Sequence, residues 1–170
     1  PGAVHPEGYR YLQSFSKHLF PHFIYETGGV RLQKRIAAVN GENTTLMLYE
    51  VLEAPAVFTL TLQPFIAGRD YHGLMIANDA IGQHLEFEDG ILTASLYDGL
   101  PELYLYVPNS EFTANPQWHF NFEYPVEKYR GQDFQEDLFT PGTFKLQLKS
   151  GDQLGVIVSL RHPADRNAFD

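Results

Sequence analysis

Arg69, Asp70, Tyr71 and His72 bring a cation, an acid, a phenol and an imidazole together in consecutive positions. Such a cluster can bind a ligand rich in hydroxyls, because it offers both donors and acceptors. It can equally serve its own loop, with Arg69 and Asp70 pairing or capping the turn and His72 bonding a backbone carbonyl. An exposed Arg–Asp pair of that kind is worth roughly 0–1 kcal/mol. Asp70 and His72 stand two apart and would share a strand face, but two ligands do not make a zinc site. No metal or cofactor is expected. Glu136 and Asp137 are a second candidate. Glycoside hydrolysis needs two carboxyls facing each other across a bond, whereas adjacent strand residues point apart, so a solvated acidic loop is the plainer reading of this pair. Trp118 is the third. It heads an aromatic face that belongs to a core or offers one exposed ring to a sugar. The candidate ligand-binding residues are therefore Arg69, Asp70, His72, Trp118 and Glu136, and no residue is assigned a catalytic role. Phosphate loops, nucleophile elbows and His-Glu-x-x-His are absent from the sequence.

The elements that must position these groups read as strands. Val57 to Leu62 alternates as a half-buried strand should. Pro64 ends it or marks an edge, and Gly68 permits a reversal into Arg69. Upstream, residues 9–23 are ambiguous between a helical stripe and a strand, and Pro21 stops any helix. Phe23 to Thr27 and Val30 to Val39 flank Gly28-Gly29 as a hairpin. Thr44 to Leu52 follows the Asn40-Gly41 turn. Downstream come short apolar runs at Leu74–Ala77, Leu85–Phe87, Ile91–Tyr97 and Leu103–Val107, with Asp89-Gly90 as another hairpin turn. Pro108 to Pro116 reads as a loop. Trp118 to Tyr124 alternates strictly, with Trp118, Phe120, Phe122 and Tyr124 on one face. Pro125 to Gly142 reads as a long, charged loop, and long loops are usually functional or clamped by their own contacts. Thr143–Lys149 and Leu154–Leu160 read as a closing hairpin. Roughly a dozen short strands without a long helix predict an all-β, antiparallel β-sandwich.

Bulk properties narrow the partners. With 170 residues, 44% of them hydrophobic, the chain can bury a sizeable core. A formal net charge of −9 argues against nucleic acid and anionic membrane, and leaves neutral ligands such as sugars compatible. Without cysteine there are no disulfides or thiolate metal sites. No apolar run is long enough to span a bilayer, and no signal peptide is visible. The chain begins Pro-Gly-Ala-Val, which reads as a processed or excised piece of a longer protein.

A set of segments, in order, resembles the N-terminal domain of bacterial and archaeal glycogen debranching enzymes. They are Phe20-Pro-His-Phe-Ile-Tyr, Gly29-Val-Arg-Leu-Gln-Lys-Arg-Ile, Asn40-Gly-Glu-Asn-Thr-Thr, Tyr49-Glu-Val, Leu62-Gln-Pro, Arg69-Asp-Tyr-His, Arg130-Gly and Glu136-Asp-Leu-Phe-Thr-Pro-Gly-Thr-Phe144. Together they run from about Gly8 to Leu160. The resemblance implies a large supersandwich similar to galactose mutarotase-like proteins, belonging to an intracellular, cytoplasmic α-glucan enzyme. It also implies that amylo-α-1,6-glucosidase chemistry resides in a following helical toroid. Residues 1–162 are then a single sandwich domain lacking its Gly-rich opening segment, and 163–170 start a linker to that catalytic domain.

Three functions follow as expectations. The first is a non-catalytic module that packs on the glucosidase domain and helps hold α-glucan, glycogen or malto-oligosaccharide. The second is a stand-alone sugar enzyme of mutarotase-like type using His72, Asp70 and Glu136. The third is a purely structural interaction domain.

Overall fold

The computed structural model describes residues 4, 6–70, 72–82, 84–163 and 165–170. Tyr71, grouped above with Arg69, Asp70 and His72, lies outside the described residues. After a single 3-10 turn at Gly8–Tyr11, eleven strands follow: β1 (Leu12–Lys17), β2 (Pro21–Thr27), β3 (Val30–Ala38), β4 (Thr44–Glu53), β5 (Phe58–Leu62), β6 (His84–Glu88), β7 (Ile91–Ser95), β8 (Leu103–Tyr106), β9 (Glu111–Glu123), β10 (Gln135–Leu148) and β11 (Gln153–Ser159). One short helix, α1 (Pro125–Tyr129), lies between β9 and β10.

Local chemistry explains the hairpins. Gly28 and Gly29 both carry positive φ, and so do Asp89 and Gly90. Two central residues of that kind twist a turn to match flanking strands. β1–β4 and β6–β8 are therefore antiparallel meanders, and β11 inserts between β4 and β8 to join them. The result is an eight-stranded sheet in the order β1-β2-β3-β4-β11-β8-β7-β6, faced by a three-stranded sheet in the order β5-β10-β9. All pairings are antiparallel. The core forms where Tyr49, Val51, Leu92, Leu105 and Val156 of the large sheet meet Phe144, Leu146 and Leu148 of the small one. This is the antiparallel β-sandwich that the alternating segments predict.

The last two strands do not form a hairpin with each other. β10 belongs to the small sheet and β11 to the large one. Residues 149–152 cross between the layers, anchored by Val51 N–H on Asp152 O and by Gly151 N–H on Val51 O, at 2.9 and 2.8 Å. The reason is visible in the burial. From Leu154 to Ile157, β11 is buried on both faces, as only a central strand can be. Its inner residues and those of β10 fill one core from opposite sides.

Three further expectations are corrected. β9 begins at Glu111, inside the stretch read as a loop. Pro116 is tolerated because β9 is an edge strand, where a missing N–H costs no ladder bond. The long loop from Pro125 to Gly142 is instead α1 followed by most of the ladder of β10. Pro141 fits there because a register shift falls between Thr140 and Gly142. Leu74–Ala77 forms no strand and runs beside β10 as an extended loop.

The large sheet extends past the small one. Phe15, Phe23 and Lys34 continue the cross-strand row that starts at buried Tyr49. Beyond Tyr49 the cover thins along this row: Lys34 and Phe23 are half-buried and Phe15 is exposed. Beside it lies an open pocket of ≈ 570 Å³, lined by Lys34, Met47, Tyr49, Phe65 and Val158 among others. Burial lowers the Lys34 pKa, and its ammonium sits 5.9 Å from the Tyr49 ring centroid. On the outer face, the C-terminal segment packs against β11 at Gly155 and reaches the turn before β4 at Glu42. Pro163 and Ala168 are buried, and Arg166 makes a bidentate pair with Glu42.

Candidate functional site

Glu136 enters β10 at its second residue, opposite Phe122 of β9. Its side chain is covered by Arg69, Met75 and Tyr124, and only 3% of the residue remains exposed. A buried carboxylate is tolerable only if paired and fully hydrogen-bonded. Here every lone pair is used. Arg69 clamps it with Nε 2.7 Å from Oε2 and Nη2 3.2 Å from Oε1. The Met75 N–H donates to Oε2 at 3.2 Å. The Tyr124 hydroxyl donates to Oε1. Burial alone would raise the Glu136 pKa; the bonds from Arg69, Tyr124 and Met75 outweigh it and hold the carboxyl below its ordinary value. Burial, together with the bond to Glu136, raises the Tyr124 pKa, so the phenol keeps its proton and donates it.

Asp137 points the other way, as alternation requires. Its carboxylate is a strut. Oδ1 accepts the Asn121 N–H and Oδ2 the Ala77 N–H, each at 3.0 Å, while its own N–H donates to Met75 O at 2.8 Å. Ile66 and Phe139 exchange a backbone pair at 2.8 and 3.0 Å. The chain therefore leaves β10 after Ile66, makes an excursion that includes Arg69, Asp70 and His72, and returns at Met75.

The expected partners are rearranged. Arg69 does not pair with the Asp70 carboxylate. Its Nη1 donates to the Asp70 backbone oxygen at 3.1 Å, while the fork goes to Glu136. A buried carboxylate without a cation would be far costlier than an exposed one, so Glu136 takes the guanidinium. Asp70 caps its own turn, accepting the His72 N–H at 2.9 Å, with the His72 ring Nδ1 3.7 Å from the same oxygen. Both side chains are largely exposed. The reading of Glu136 and Asp137 as a solvated acidic pair is likewise overturned. One is buried against a cation and the other clamps backbone.

Trp118 reaches the same loop from β9, with its indole N–H 3.3 Å from Asn78 O. Its ring packs edge-on against buried Phe139 at 5.7 Å. The strict alternation read from Trp118 to Tyr124 fails after His119. Leu138 pairs with His119 and Glu136 with Phe122, so Asp137 alone opposes Phe120 and Asn121. This is a β-bulge, and Asn121 takes a φ of 63° within it. The residues that sequence reasoning missed are those the bulge exposes. Phe65 touches the ring of His119 at 4.9 Å and that of Phe122 at 5.4 Å. Strict period-two reading hides this grouping; Asn at position 121, a residue that tolerates positive φ, is the only local hint.

Arg69, Glu136 and Trp118 thus converge on one loop, with Asp70 and His72 on its exposed side. Among the described residues, no group of three or more His, Asp or Glu side chains could hold a metal ion. No described helix is long and apolar enough to cross a membrane. The saturated Glu136 carboxylate can neither give nor take a proton without breaking its own network. No curated protein matches this chain. A family model described as glycogen debranching enzyme N terminal matches residues 1–155, and the chain belongs to that family.

Proposed function

We propose that this domain is the non-catalytic N-terminal module of a glycogen debranching-type glucosidase, helping to hold α-glucan and packing against the catalytic domain. The observation that carries the reading is the state of Glu136. Hydrolysis of a glycosidic bond needs a carboxylic acid of raised pKa facing a second carboxyl about 5–10 Å away. Glu136 is instead held ionised by Arg69, and Asp137 is bound to backbone on a different face. The stand-alone enzyme using His72, Asp70 and Glu136 finds no support in that arrangement. The partly covered row at Phe15, Phe23 and Lys34, ending in exposed Phe15 beside an open apolar pocket, favours a neighbouring domain as the cover.

A glucose-release assay on limit dextrin tests the proposal. The chain should stay at background. Activity that disappears on His72→Ala or Glu136→Ala would establish the enzyme reading instead.

A further inference from the structure

The geometry points to a binding site, in the gap between the two sheets, for a small amphipathic carboxylate that pairs its head with Lys34 and buries its tail. The inference stands apart from the glucan-binding reading and uses nothing of the Arg69–Glu136 network. Three observations carry it.

The first is the space. The open pocket of about 570 Å³ is lined by Met47, Val156 and Val158 of the large sheet and by Leu62 and Phe144 of the small one. A pocket of this size, mostly apolar with a few polar groups, is of the kind that takes a small molecule. A neighbouring domain laid over exposed Phe15 would cover the row and leave the gap unfilled. Met47, Leu62 and Val158 pack on the core yet are only partly buried. An apolar tail laid against them removes their remaining surface from water.

The second is an unanswered charge. Lys34 lines the same pocket. Among the described residues no carboxylate pairs with its ammonium, which instead sits 5.9 Å from the Tyr49 ring centroid. A ring face offsets part of a desolvated charge and uses none of the three N–H donors. Burial therefore lowers the Lys34 pKa with no counter-ion to oppose it. A carboxylate entering the gap supplies the missing acceptor.

The third is the match of one charge to one. Among the described residues lining the pocket, Lys34 alone is charged. One ammonium in an apolar wall satisfies one carboxylate. A phosphate monoester would bring a further charge with no cation to meet it. A neutral alcohol would leave Lys34 unpaired, and an amine would repel it.

Titration of the 170-residue chain with decanoate below its micellar concentration, followed by NMR, tests the inference, with decanol and decylamine as controls. The methyl signals of Met47 and Val158 should shift. Octanoate should bind roughly tenfold more weakly, because two fewer methylenes are buried. Decanoate should bind about tenfold more tightly than decanol, and decylamine more weakly than either. The Lys34 pKa should rise when decanoate is added. Lys34→Met keeps the apolar stem and removes the charge, so it should erase the preference for decanoate, retain decanol binding and leave the melting temperature undiminished. Equal binding of decanoate and decanol, or a preference that survives Lys34→Met, would overturn the pairing with Lys34. Shifts absent from Met47 and Val158 up to the solubility limit of decanoate would overturn the site itself. Neither failure touches the glucan-binding reading, which limit dextrin and malto-oligosaccharide test separately.

Discussion

The guanidinium of Arg69 grips the Glu136 carboxylate across 67 positions of sequence, with Nε 2.7 Å from Oε2. The pair ties the excursion after Ile66 to the first turn of the β10 ladder. Removing one partner of a buried pair strands the other without compensation. Arg69→Ala should therefore cost about 3 kcal/mol, read by urea unfolding at neutral pH. Asp70→Ala removes only an exposed turn cap and should cost about 1 kcal/mol or less. A reversed ranking would mean that the loop is held by the turn and not by the ion pair.

The same carboxylate sets a pH dependence whose sign is determined. The folded pKa of Glu136 lies below the ordinary 4.5, through its bonds to Arg69, Tyr124 and Met75 acting against burial. The folded state thus binds its proton less readily than the unfolded state. Its stabilisation is complete above the unfolded value and is lost as pH falls through the folded one. The stability difference between wild type and Glu136→Gln should be level from about pH 6 to 8 and shrink once pH drops under about 4.5. A difference that grows on acidification would contradict the assignment.

How far the sequence discloses this fold depends on where the physics is local. Gly28-Gly29 and Asp89-Gly90 announce their hairpins because positive φ is a single-residue demand. Val57 to Leu62 and Ile91 to Ser95 are legible because one face of each is buried. The crossover at residues 149–152 is not legible, since a hairpin and an inter-sheet crossing use the same turn residues. The choice is made by which core faces are left to fill. Pro116 and Pro141 mislead for a related reason: each is a breaker only if its strand is central and regular. At the site, the grouping of Arg69, Asp70 and His72 on one loop is legible from adjacency. Glu136 as the partner of Arg69 requires knowing that β10 runs through a stretch rich in charge. The grouping of Phe65 with His119 and Phe122 depends on a bulge that period-two counting cannot register.

Asp137 provides a more local test. Both of its oxygens accept backbone N–H groups, from Asn121 and from Ala77. Asp137→Ala frees both at once. Amide hydrogen exchange at Asn121 and Ala77 should accelerate by at least tenfold, while Leu146 and Val156 in the core keep their protection. Uniform acceleration across the chain would indicate a global loss of stability and deny Asp137 its role as a strut.

Phe139 reports on the segment read from sequence as a loop. It is 1% exposed and packs with Ile81, Ala94 and Leu96 in a second, smaller core. Phe139→Ala should cost about 3–5 kcal/mol through lost burial and the cavity left behind. Phe120→Ala, at a ring that is 62% exposed, should cost under about 0.5 kcal/mol. Near-equal losses in thermal unfolding would place both rings in the core.

The C-terminal segment makes the last prediction. A Cβ added at Gly155 would lie 2.6 Å from the Ala168 Cβ and 3.0 Å from the Phe169 ring. The neighbour it meets first is a short side chain with no flexible end to move, so the segment itself must shift. Overpacking of that kind costs roughly 1–3 kcal/mol. Gly155→Ala should lower the melting temperature by a few degrees and release Arg166 from Glu42, which it grips at 2.7 Å. In a chain ending at residue 162 the obstruction is gone, and the same substitution should then be neutral or stabilising, since Ala suits a strand interior better than Gly. Comparing the four chains isolates the coupling between position 155 and the segment. An equal penalty in both backgrounds would locate the cost within β11 and leave the segment without a part in holding the sandwich.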